Sequence, residues 1–171
     1  MDSSPNKSWY VARTRYYHHE IKIRDRLRQM DIEVFVPTVT RARTRSKALA
    51  ERAVAPNLVF VHTDRKQALD LITESHLPME WKTDCATRRM MVVPDKQMDD
   101  FRRVFKVASH EEGGLMEEPY ALGDEVKVTD GVLSGVEGSI LEEAGKYYVV
   151  VGLAGSIFAR AMLPKAYLMK I

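Results

Sequence analysis

His18 and His19 stand side by side, Asp99-Asp100 and Glu117-Glu118 form carboxylate pairs, and Cys85 is the single thiol. Two imidazoles invite a metal reading. Adjacent helical positions point about 100° apart, however, and no Cys or further His lies at ligand spacing. General acid–base work needs carboxylates that converge in a pocket, not neighbours along a chain, so both pairs read as solvated. Cys85 lies in Thr83-Asp84-Cys85-Ala86-Thr87, beside an acid and without a matched His, a poor setting for a nucleophile. His62, His76 and His110 are scattered and read as ordinary surface or loop residues. Neither GxxxxGK[ST] nor a strand-linked GxGxxG is present. The residue types predict no catalytic group, no metal, no cofactor and no enzyme.

Binding chemistry is better represented. Arg41, Arg43 and Arg45 alternate, with Lys47 beyond them. On a β ribbon these side chains leave one face, where they suit phosphates. A solvated surface hairpin explains them equally well, and both readings stay open. Arg15, Tyr16 and His18, with His19, stand where a helix is expected to begin. Arg and aromatic neighbours at a helix start suit phosphate contact and base stacking, against the plainer reading of a polar helix start.

The net charge of +2 hides an asymmetry. Residues 1–109 hold 21 Lys/Arg and 14 Asp/Glu, a balance of +7, whereas residues 110–171 hold 5 and 10, a balance of −5. A basic front and an acidic back predict two modules with different partners. No apolar run approaches the roughly 20 residues that span a bilayer, and the polar N-terminus lacks a signal-peptide core. One cysteine excludes an intramolecular disulfide. Together these predict a cytoplasmic protein with no membrane partner.

The elements that must position these residues follow from periodicity. Ser8 to Arg15 reads as a strand and Tyr17 to Met30 as a helix, with Ile23, Leu27 and Met30 inward and Lys22, Arg24, Arg26 and Arg28 outward. Ile32 to Val36 is a second strand, Thr38 to Pro56 a long basic hairpin, and Leu58-Val59-Phe60-Val61 a central strand. Asp64 caps a helix through Glu74, and short strands follow at Glu80–Lys82 and Met90–Val93. Pro94-Asp95 opens a third helix with a Met98, Phe101, Val104, Phe105 and Ala108 stripe. This module is an α/β sandwich, an antiparallel sheet with flanking helices, over residues 1–109. A polar, Gly-containing linker covers 110–119. Residues 120–171 carry short β segments at 124–129, 138–143, 146–151, 156–162 and 166–170, a small antiparallel barrel. Gly131, Gly135 and Gly138 punctuate the first reversal. Ala154 to Ile171 carries helical as well as strand signals. The fold class is therefore α+β.

Trp9-Tyr10-Val11, the first helix, Glu33-Val34-Phe35-Val36-Pro37, the basic hairpin, Ala55-Pro56-Asn57-Leu58-Val59-Phe60-Val61 and the stretch Gly123 to Ile140 resemble, in this order, the NusG family of transcription factors. The resemblance covers about residues 8–171. It implies an N-terminal NGN domain and a C-terminal KOW domain with an SH3-like barrel. Asn57 after Pro56 is similar to specialised paralogs of the RfaH and UpxY type, the latter regulators of capsule-polysaccharide operons. The resemblance implies elongation or antitermination activity through RNA polymerase. The clamp region would be held by Ala55, Leu58, Phe60, Phe101 and Phe105, and non-template DNA met by Arg15, Tyr16, His18, Arg41, Arg43, Arg45 and Lys47. The KOW partner would be a ribosomal protein or another factor. Housekeeping members carry Phe before that Pro and Tyr two residues after it, where this chain has Ala55 and Leu58. In the barrel, Leu153-Ala154-Gly155-Ser156 stands where they carry Ile-Phe-Gly-Arg. A KOW-containing RNA- or ribosome-associated protein is the alternative; against it, the barrel is net acidic.

Overall fold

The computed structural model describes residues 6–42, 49–110, 114–116 and 121–171. The chain divides into two compact units, Met1–Pro94 and Asp95–Ile171. The first contains β1 (Ser8–Thr14), α1 (Glu20–Gln29), β2 (Glu33–Phe35), β3 (Thr38–Ala42), β4 (Leu49–Ala53), β5 (Leu58–Thr63), α2 (Arg65–Thr73), β6 (Met79–Trp81) and β7 (Val92–Val93). The second contains α3 (Asp95–Ala108), β8 (Leu115–Met116), β9 (Glu125–Val128), β10 (Glu137–Glu143), β11 (Lys146–Leu153), β12 (Ile157–Met162) and β13 (Leu168–Lys170), with a 3-10 turn at Lys165–Tyr167.

In the first unit an antiparallel sheet runs β2-β5-β1-β6, and β7 also pairs with β1. Its centre is the β1–β5 ladder, in register from Ser8 opposite Thr63 to Arg13 opposite Leu58. Leu58 to Val61 are buried on both faces of β5, as a continuous apolar run requires. One face carries Ala12, Val59 and Val61, packed with Ile23 and Leu27 of α1 and Leu71 of α2. The residues of β1 and β5 alternate, so Trp9, Val11 and Phe60 belong to the other face. There His62 stacks on Trp9 at 4.8 Å and meets Glu33 at 2.7 Å, a more specific place than an ordinary surface histidine. Asp64 caps α2 by accepting from the Gln67 amide at 2.9 Å, as its sequence position predicts.

Three expectations for α1 change: Met30, expected inward, is 39% exposed just beyond the helix end. The helix begins at Glu20 rather than Tyr17, because His18 takes a left-handed backbone, φ 61°, that cannot continue into a right-handed helix. Arg24 is buried rather than outward, since a carboxylate on β4 draws its guanidinium in.

In the second unit the antiparallel sheet runs β13-β9-β10-β11-β12-β8. The predicted β segments are all present, and Ala154 to Ile171 resolves into a strand, a 3-10 turn and a final strand. Leu115 and Met116, read as linker, instead add a short edge strand on β12. The third helix packs on β11 and β12, burying Met98, Phe101, Val104 and Ala108. The compact units therefore divide before this helix, whereas the sequence reading closes the first module at residue 109.

Polar side chains tie α3 to the glycine-punctuated loop between β9 and β10. Lys96 donates to the Gly135 carbonyl at 2.9 Å, and Arg103 to the carbonyls of Val132 and Ser134 at 3.0 and 2.9 Å. Asp100 accepts from the Glu137 amide at 3.1 Å and from Lys96. This carboxylate, read as solvated, is 3% exposed, because the Glu137 amide at the start of β10 and the Lys96 ammonium satisfy it in the interior. Gln97 donates to the Gly152 carbonyl at 2.8 Å.

Gly138 is required by close approach: a Cβ there would lie 2.4 Å from the Val150 carbonyl oxygen. Gly138→Ala is expected to destabilise the chain by about 1–3 kcal/mol, through overpacking against backbone that cannot yield. Urea denaturation checks this, and an unchanged midpoint would contradict the sheet spacing described.

Candidate nucleic-acid interface

The β1–α1 connection, residues 15–19, is fixed at both ends. At its start Thr14 donates its amide to the Asn57 carbonyl at 2.9 Å, and its hydroxyl to the Asn57 side-chain oxygen at 3.2 Å. The Arg15 amide reaches the Pro78 carbonyl at 2.9 Å. Asn57 itself sits at φ 62°, a left-handed conformation that Asn tolerates better than most residues. At the far end Glu20, buried at 4% exposure, accepts the Asn57 amide at 2.6 Å. The loop after Pro56 and the start of α1 thus lock each other.

What this frame presents is basic and aromatic. Arg13 and Arg15 are exposed, Tyr16 and Tyr17 are 59% and 80% exposed, and His18 is exposed. Tyr16 leans on His19 with ring centroids 5.3 Å apart. Exposed aromatic faces beside guanidinium groups suit unstacked bases and phosphates. Tyr17 was not singled out from the sequence. Its signal was adjacency to Tyr16, which does not distinguish a core tyrosine from a surface one.

Beside this loop lies a groove of about 550 Å³ lined by His18, Glu20, Ile21, Glu51, Arg52 and Ala53. One wall is α1 and the other β4. The two are joined by Arg24, whose guanidinium donates to both Glu51 oxygens at 2.5 and 2.9 Å. Thr38 on β3 adds a hydroxyl at 2.7 Å. The Arg24 hydrogen bonds, followed by that of Thr38, hold the Glu51 carboxyl down to about 2. A fork-to-fork pair of this kind fixes direction as well as distance, so the base of the β3–β4 hairpin is set relative to α1.

The structure brings Arg15, Tyr16 and His18 together on one loop. Arg41 lies on β3 opposite Ala50, while Arg43, Arg45 and Lys47 fall outside the described residues. The apolar candidates are placed differently. Ala55, Leu58 and Phe60 are 2%, 6% and 0% exposed, and Phe101 is 0% exposed. Phe105 is half-buried and stacks on Phe101 with centroids 5.8 Å apart. Ala55, Leu58 and Phe60 belong to the first compact unit and the two phenylalanines to the second.

Cys85 is exposed in a turn whose Asp84 carboxyl accepts the Thr87 and Ala86 amides, which lower its pKa. Among the described residues no group of three or more His, Cys, Asp or Glu side chains could hold a metal ion, and no helix is long and apolar enough to cross a membrane.

The Arg24–Glu51 pair makes a pH prediction. The Glu51 carboxyl is depressed from 4.5 to about 2 in the folded chain, so its contribution is complete above 4.5 and is lost as pH falls toward 2. Glu51→Gln is expected to flatten the acid limb of the stability profile across that window. Arg24→Met is expected to cost on the order of 1 kcal/mol at neutral pH, a small figure because the carboxylate is partly exposed and screened. Denaturation midpoints measured from pH 2 to 7 for the three proteins check both; identical acid limbs would contradict the pairing.

No curated protein matches the chain. Among solved structures, NusG of Thermotoga maritima, reported as "Domain interaction in Thermotoga maritima NusG", is similar at 21% identity and TM-score 0.49, covering 97% of this chain and 98% of that one. The family described as "Transcription termination factor nusG" matches residues 7–102, more than half of the sequence, and the chain therefore belongs to the NusG family.

Proposed function

We propose that the chain is a transcription elongation or antitermination factor that binds RNA polymerase through its first module and touches exposed non-template DNA through the β1–α1 loop. The observation that carries the DNA contact is the exposed Tyr16–Tyr17 pair between Arg15 and His18, on a loop held at both ends by Asn57. The basic residues Arg41, Arg43, Arg45 and Lys47 extend this surface in the proposal. The polymerase contact is assigned to the apolar set Ala55, Leu58, Phe60, Phe101 and Phe105. Phe105 is the member with exposed area, so contact begins there. Catalysis has no part in this reading, and the site of action is the cytoplasm.

We extend the proposal to operon-specific action of the capsule-polysaccharide type. Its support is the set of departures from housekeeping members: Ala55 and Leu58 beside Pro56, and Leu153-Ala154-Gly155-Ser156 in the barrel. Loss of an exposed aromatic and an Arg removes a typical hot-spot pair, which argues against a termination partner there.

The test uses the full-length chain, purified polymerase and an elongation scaffold with an exposed non-template strand. Wild type is expected to be retained by polymerase and to cross-link to that strand. Arg15→Ala with Tyr16→Ala should keep polymerase retention while weakening DNA cross-linking about tenfold, the size of one lost stacking contact. Both residues are exposed, so folding should be unaffected. Phe105→Ala should weaken retention. Failure of wild type to bind polymerase sinks the proposal, and unaltered cross-linking by the double variant sinks the DNA assignment alone.

A further inference from the structure

The second unit holds a groove whose lining is separate from the loop residues that α3 grips. About 320 Å³ in volume, it is lined by Gly145, Lys146 and Tyr147 at the start of β11 and by Met162, Leu163, Pro164 and Lys165 after β12. Its floor is apolar and partly open: Met162 is 51% exposed, and Tyr147 and Leu163 are half-buried. The backbone around it is fixed, because the Leu163 amide donates to the Tyr147 carbonyl at 2.9 Å and Ala144-Gly145 form a turn with both φ positive. No residue of α3 contributes to the lining.

The charges around the groove are unlike those elsewhere on this acidic module. Of the five cations of residues 110–171, Lys127 faces Glu137 at 3.7 Å, Lys170 faces Asp124 at 3.1 Å and Arg160 meets Glu143. Lys146 and Lys165, the two that flank the groove, form no ion pair among the described residues. The Lys165 ammonium instead lies 5.1 Å from the centre of the Tyr147 ring. Two ammoniums without an ion pair among the described residues thus line one apolar slot, Lys146 across the ladder from Glu143, on residues 110–171 whose net charge is −5. The module's overall negative field attracts cationic segments and repels anionic ones, and the two ammoniums reverse that preference only at this spot, where an anionic segment is favoured.

We infer that this groove docks an acidic linear peptide, seating an apolar or proline side chain between Tyr147, Met162 and Pro164 and pairing flanking carboxylates with Lys146 and Lys165. The contact is independent of the polymerase and DNA surfaces, and gives the barrel a partner of defined chemistry. Aromatic-lined slots bind extended peptides in this way because the peptide loses little entropy and the ring supplies a flat apolar wall.

The test is a titration of the isotopically labelled full-length chain, followed by backbone amide shifts. One probe is a short synthetic peptide alternating Glu and Leu around a central Pro. The controls are the same peptide with Gln for Glu and a single-stranded oligouridine RNA. The Glu peptide is expected to move the amides of Lys146, Tyr147, Leu163 and Lys165, with affinity falling as salt rises. Lys146→Glu combined with Lys165→Glu should weaken it at least about tenfold while the rest of the amide spectrum stays in place. Equal binding of the Gln peptide, shifts mapping elsewhere, or an unchanged affinity in the double variant would overturn the proposal. So would oligouridine producing the same shifts more tightly, or peptide-free shifts that grow with protein concentration and mark a second copy as the occupant.

Discussion

The antiparallel pairing of β1 with β5 is the constraint on which the first unit depends. Its six-residue register brings Trp9 against His62 at one end and delivers Thr14 to Asn57 at the other. The ladder hydrogen bonds continue directly into the side-chain and backbone bonds that shape the β1–α1 loop. A shift of one residue would turn Val59 and Val61 out of the helix-facing core and move Thr14 away from Asn57. The loop's geometry is therefore inherited from the most buried part of the sheet, which is how a surface segment can be rigid without burial of its own.

Polar side chains have a comparable structural role in the second unit. Lys96, Gln97, Asp100 and Arg103 reach the backbone of the barrel from α3 rather than other side chains. Their partners are the loop carbonyls of Val132, Ser134 and Gly135, the Glu137 amide at the start of β10 and the Gly152 carbonyl on β11, backbone groups that these side chains satisfy without water. The glycine spacing at 131, 135 and 138 lets the loop fold tightly enough to present them. Gly135 lies at φ 90°, a conformation side chains resist, and Gly138 permits the close strand approach.

Much of this was legible in the sequence, and the limits have physical causes. The α+β class, the order of strands and the α2 cap follow from apolar period and one well-placed Asp, both local signals. The start of α1 was misplaced because His18 has no sequence mark of its left-handed backbone; Asn57, 37 residues beyond Glu20, holds the start of the helix through its amide. Arg24 and Asp100 were read as solvated because burial of a charge depends on a partner 27 or 37 residues away. Leu115-Met116 is too short to carry a period, and only its pairing with Phe158 and Ala159 makes it a strand. Arg15, Tyr16 and His18 stand out in the sequence because their chemistry is concentrated within four consecutive residues. Their common frame was not visible, since it is built from Pro78, Asn57 and Glu20.

The same distinction separates two sets of charges among the described residues. Arg24, Glu51, Lys96, Asp100 and Arg103 each have defined partners that fix one element against another. Satisfying them internally removes them from the surface field, so they add little to what a ligand feels. Arg15, Lys146 and Lys165 have no ion-pair partner among the described residues; Arg15 precedes the exposed Tyr16, and the two lysines line the groove with Met162. Charge left uncompensated next to an apolar surface is costly to leave idle and effective in recognition, because a ligand that neutralises it also covers apolar area. The net balances of +7 and −5 thus understate the chain's selectivity. In the basic module Arg24 is the one buried cation among the described residues and the rest of the positive charge stays at the surface, whereas in the acidic module the two lysines without an ion pair among the described residues both line one groove.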